Sequence, residues 1–170
     1  MKITITALCV GAALLAGLLP ARALSADTEV FSATLLGDNE VPPNNTDGKA
    51  EFHMEQMGSS ITFSLTFSGL STNLSVAHLH FAPTKVAGGV MIFLCGGGGQ
   101  PVCPAATSGT ITGTITEANV TGPVGQGIDA GNLTAALEAV GDGLAYANMH
   151  TMKFPGGEIR GQVLRRKGKK

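Results

Sequence analysis

The sequence predicts an all-β fold, an antiparallel β-sandwich of about eight strands with one short helix. Three observations carry that prediction. The 170 residues are 44 % hydrophobic but only 14 % charged, with 24 Gly and no Trp. Most of the apolar content is aliphatic or β-branched and is mixed with Thr and Ser, which favours pleated strands and turns over long helices. Residues 60 to 68 alternate strictly, with Ile61, Phe63, Leu65 and Phe67 on one side and Ser and Thr on the other. Finally, Gly, Pro, Asn and Asp clusters punctuate the chain at strand-length intervals, as antiparallel sheets require.

The chain opens with Lys2, an apolar run from Ala7 to Leu19, and Pro20-Ala21-Arg22-Ala23. That order of charge, apolar run and small residues is that of a cleaved signal peptide over residues 1 to 23. The run is shorter than the ~20 residues a transmembrane helix needs, and no later segment resembles one. The mature chain is therefore expected to be secreted or periplasmic, without a transmembrane segment.

Strands follow from period-two patterning at 30–36, 50–57, 60–68, 110–116 and 158–164, and from apolar segments at 76–82, 90–94 and 144–150. Turns fall at Gly37-Asp38 through Asp47-Gly48, at Gly58-Ser59, at Pro83 through Gly89, and at Pro155-Gly156-Gly157. One helix is expected from Leu133 to Val140, capped by Asn132, with Leu133, Leu137 and Val140 on its buried side. Glu117 to Gly131 reads as a long loop over one end.

Cys9 leaves with the leader, so Cys95 and Cys103 remain, separated by a loop that includes Gly96 to Gly99. In an oxidising compartment they are expected to form one local disulfide, worth about 2.5 kcal/mol by loop entropy. A pair of thiolate metal ligands is the rival reading, but zinc knuckles usually space their cysteines more closely. The formal net charge is -1, and loss of Lys2 and Arg22 with the leader leaves acids in excess. Nucleic acid is therefore not an expected partner. Arg165, Arg166, Lys167, Lys169 and Lys170 make residues 165 to 170 a basic C-terminal tail, expected to be solvated.

His78 and His80 alternate with Leu79, so both imidazoles leave one face of a strand. Tyr146, Asn148 and His150 share a face of a second strand. If these strands are neighbours, three neutral imidazoles meet, a set suited to copper or zinc, to which Met149 or Met152 could add a soft ligand. The competing reading makes the three histidines a hydrogen-bonded polar layer. Buried Arg160 would need a carboxylate, and Glu40 and Glu158 are available, forming a structural ion pair. No catalytic residue is assigned: there is no nucleophile elbow, and Gly96 to Gly99 lacks the Lys-Ser/Thr of a phosphate loop.

The segments Leu36-Gly37-Asp38-Asn39-Glu40-Val41-Pro42-Pro43, Ala77-His78-Leu79-His80, Tyr146-Ala147-Asn148-Met149-His150-Thr151 and Phe154 through Gln162 together resemble the CHRD domain, the module repeated in chordin. The resemblance spans residues 29 to 164 and implies an extracytoplasmic β-sandwich without a firmly assigned activity. His78 and His80 also resemble the His-x-His pair of copper/zinc superoxide dismutase, another β-sandwich, and in that likeness His150 stands for another ligand. The departures are that a zinc-subsite cluster, a bridging histidine and an electrostatic-loop arginine are all missing. Greek-key connections of the superoxide-dismutase-like or immunoglobulin-like kind are the expected topology. The expected function is a non-catalytic binding or structural module whose ligand is an unidentified protein or a metal. The alternative is a copper- or zinc-binding protein using His78, His80 and His150, with dismutase chemistry a distant option.

Overall fold

The computed structural model describes residues 28 to 166; the signal-peptide reading and residues 167 to 170 lie outside it. Nine strands and one α-helix follow in chain order. Strand β1 (Thr28–Leu36) pairs antiparallel along its whole length with β2 (Lys49–Met57), and β2 pairs in the same way with β3 (Ser60–Ser68). The β2–β3 turn is Gly58-Ser59, and Gly58 has φ 60, where a side chain would be strained. The alternation in β3 buries Ile61, Phe63, Leu65 and Phe67. Each contributes about 2 kcal/mol relative to exposure.

Strand β4 (Leu74–Phe81) lies between β5 (Gly89–Cys95) and β7 (Ala145–Thr151). Strand β6 (Gly109–Thr114) pairs with β3, and β8 (Ile159–Gln162) pairs with β7. The hydrogen-bonded order is β5-β4-β7-β8-β1-β2-β3-β6. The pairing is thus one continuous antiparallel sheet, where the sequence led us to expect two packed ones. The reason lies in residues 159 to 165. Their first half pairs with β7, Leu36 of β1 faces Arg160, and β9 (Leu164–Arg165) then pairs with Phe31 and Ser32 of β1. One segment thereby joins the two halves.

The far ends of this sheet approach each other. Beyond β6 the chain makes a 3-10 turn at Glu117–Asn119, and Val120 bridges Ile92 of β5, with the Thr121 N–H donating to the Met91 carbonyl at 3.0 Å. The result is a nearly closed, barrel-like sheet. Its interior is one apolar cluster, in which Phe31, Phe52 and Leu65 from one half meet Leu79, Leu94 and Met149 from the other.

Helix α1 (Leu133–Gly141) starts where Asn132 accepts a hydrogen bond from the Ala135 N–H at 3.1 Å. It buries Ala136, Ala139 and Val140, whereas Leu133 and Leu137 of the expected stripe are half-buried. Small side chains let the helix backbone sit close to its neighbours, which places the leucines at the margin. Arg165 and Arg166, read as the start of a solvated tail, are held on β1. Arg165 contacts Glu29 while the Arg166 N–H donates to the Val30 carbonyl.

Candidate metal centre

Strand β7 has no exposed residue, because both its faces are covered. Its alternation sends Ala145, Ala147 and Met149 to the core, and Tyr146, Asn148 and His150 to the opposite face. Register then decides what those residues meet. Across β4 and β7, His78 faces Asn148, His80 faces Tyr146 and Val76 faces His150. Across β4 and β5, His78 faces Phe93. The three imidazoles converge, each offering one ring nitrogen, and these nitrogens lie within 4.8 Å of one another.

Hydrogen bonds set the tautomers. The His80 Nδ1–H donates to the Gly88 carbonyl at 3.0 Å, and the His150 Nδ1–H donates to the Pro155 carbonyl at 3.0 Å. In both rings the lone pair therefore lies at Nε2. His150 Nε2 lies 3.2 Å from His78 Nδ1. Nitrogens bound to one zinc at about 2.0–2.1 Å and at the tetrahedral angle stand ~3.4 Å apart. His80 Nε2 is the one buried side-chain nitrogen or oxygen without a hydrogen-bond partner among the described residues.

The surroundings keep the cluster neutral. His78, His80 and His150 are only 6 %, 8 % and 8 % exposed. Burial, reinforced by the neighbouring His150 and His80, brings the His78 pKa down to about 3. Burial brings His80 down to about 4 against the opposing pull of the Gly88 carbonyl. His150 is also lowered, chiefly by burial, with the Pro155 carbonyl and Glu40 opposing. All three are free bases at pH 7, the form that binds metal.

Aromatic rings wall the site. Phe93 meets His78 edge-on, with ring centroids 4.5 Å apart, and Tyr146 stacks on His80 at 4.8 Å and 6°. Arg160 lies over the far partner of that stack, 4.4 Å from the Tyr146 centroid. Its Nε donates to Glu40 Oε2 at 2.7 Å, and Asn148 donates to Glu40 Oε1 at 2.5 Å. Gly157, at φ 125, passes so close that a Cβ there would stand 2.7 Å from Glu40 Oε1.

Glu158, the other carboxylate considered for Arg160, is placed elsewhere. It accepts hydrogen bonds from the hydroxyls of Thr46, Ser71 and Thr151 and from the Ser71 N–H, at 2.6–2.8 Å. Burial would raise its pKa, but these four donors outweigh that effect and lower it. Met149 points into the core, and Met152 is exposed, so neither stands with the histidines. The Cys95 and Cys103 sulfurs lie at disulfide distance, 1.91 Å, as in proteins of oxidising compartments. Among the described residues no helix is long and apolar enough to cross a membrane.

Sequence reasoning missed Phe93 and the two carbonyls that orient the rings. Alternation along 90–94 gives the face of Phe93 only once its register with His78 is known. No sequence signal marks a carbonyl acceptor.

A nearly closed antiparallel sheet with three neutral, converging imidazoles on its outer face defines a β-structured module with metal-ligand geometry. The chain belongs to the CHRD domain family, whose family model matches residues 31–163. The matched span contains the three histidines, Glu40, Arg160 and the cysteine pair. Searches of curated proteins and of solved structures give no significant match.

Proposed function

We propose that this protein is a secreted or periplasmic CHRD module that binds one transition-metal ion, copper or zinc, through His78, His80 and His150. The observation that carries this reading is the buried, unpartnered His80 Nε2 beside two further neutral imidazoles. A buried lone pair without a donor costs about 1–3 kcal/mol, and a bound ion removes that cost. The proton between His78 Nδ1 and His150 Nε2 holds the place of such an ion. On binding, that proton moves from Nδ1 to Nε2 of His78, which leaves the Nδ1 lone pair for the ion.

Several neighbours support the site in this reading. The Gly88 and Pro155 carbonyls fix ring orientation, Tyr146 holds the plane of His80, and the Glu40–Arg160 pair anchors Tyr146. Cys95 and Cys103 form the local disulfide that closes the glycine loop, and Glu40 and Arg160 form the structural ion pair. The assignment is to binding, and no residue is given a catalytic role.

The test is the metal content of mature protein purified without a polyhistidine tag, beside a His78→Ala/His80→Ala variant shown to be folded by circular dichroism. One ion per chain in the wild type, lost in the variant, is the expected result. Loading should also raise the wild-type Tm and leave that of the variant unchanged. Two equally metal-free proteins after loading would overturn the reading and leave a module whose partner is another protein.

A further inference from the structure

We infer that the site is selective for a monovalent ion, copper(I), over divalent zinc. This rests on the metal-binding reading above and names the ion it takes. The ligand set carries no charge, since its three members are imidazoles and, among the described residues, no carboxylate or thiolate joins them. Glu40, the carboxylate on this face, has one oxygen taken by Arg160 and the other by Asn148. With Arg160 it forms a pair of zero net charge, so it offers a cation no compensation.

The site is also screened from water by the Phe93 and Tyr146 rings and by burial of all three histidines. The cost of moving an ion into such a medium grows with the square of its charge, which weighs far more heavily on a divalent ion. Coordination number acts in the same direction. Zinc sites are almost always completed by a fourth ligand, and the described residues converge as three. A closed-shell cuprous ion is satisfied by three nitrogens and is compatible with imidazole.

The experiment is an anaerobic competition titration of the purified mature protein. Copper(I) is partitioned against bicinchoninate, and zinc against a chromophoric zinc chelator. The expected result is a copper(I) Kd at least about 100-fold below that for zinc. Phe93→Glu, which sets a carboxylate opposite His78, should move the ratio toward zinc at least about tenfold further than Phe93→Gln, which removes the same ring without adding charge. Zinc binding as tight as copper(I) would overturn the selectivity and leave the metal site standing. A ratio moved no further by Phe93→Glu than by Phe93→Gln would overturn the charge argument. Failure of both ions to bind the wild type would overturn the metal reading itself.

Discussion

Glu40 and Glu158 are both buried carboxylates, yet only Glu40 meets a cation. The sequence showed that Arg160 needs an acid and named both candidates. It could not choose between them, because the choice depends on which face of the sheet each approaches. Glu158 sits among hydroxyls instead, and its lowered pKa ties stability to pH with a definite sign. A carboxylate with a depressed folded pKa contributes stability that is complete above its unfolded value and lost as pH falls through the folded one. Glu158→Gln should therefore cost about 2 kcal/mol at pH 7 and progressively less below pH ~4, read from urea denaturation at several pH values. The neutral histidines act with the same sign over a higher window. Below their ordinary value of 6.5 the unfolded chain gains protons that folded His78 and His80 take up only near pH 3 to 4. Loss of apoprotein stability should thus begin near pH 6.5.

At the scale of elements, the strands were legible wherever one face is wet. Residues 60 to 68 form β3 with the bounds the alternation indicates. Strand β7 is covered on both faces, so its alternation carries no contrast between inside and outside. The two residues of β9 are too few to show any period. The glycine loop after β5 was read only as slack that lets Cys95 and Cys103 meet. Its glycines also make room for Phe93, since a Cβ on Gly97 would stand 2.5 Å from that ring. Gly97→Ala should push Phe93 against His78, weakening metal binding about tenfold and costing ~1 kcal/mol. Gly125, which has open space around it, serves as the control, and Gly125→Ala should change neither quantity.

Across the whole molecule, the antiparallel all-β class was legible, and the division into two sheets was not what formed. Local alternation determines which residues face inward; it holds no record of whether the last strand stays with one sheet or crosses to another. Here that crossing depends on Gly161, where a Cβ would stand 2.3 Å from the Thr34 carbonyl oxygen of β1. Gly161→Ala should separate β8 from β1 and destabilise the fold by about 2 kcal/mol or more, seen as a lower denaturation midpoint. The same topology explains why His78 and His80 could be paired from the sequence while His150 could be added only conditionally. Alternation places two histidines on one strand, whereas His150 meets them only through the pairing of β4 with β7, and it stands 72 residues from His78 in the sequence.

The most direct measurement is the X-ray absorption spectrum of the metal-loaded protein at the edge of the bound ion. The account predicts a first shell of nitrogen at about 2.0 Å with the outer-ring scattering of three imidazoles. A sulfur shell near 2.3 Å, a shell of oxygen alone, or a chain that takes up no ion would contradict it.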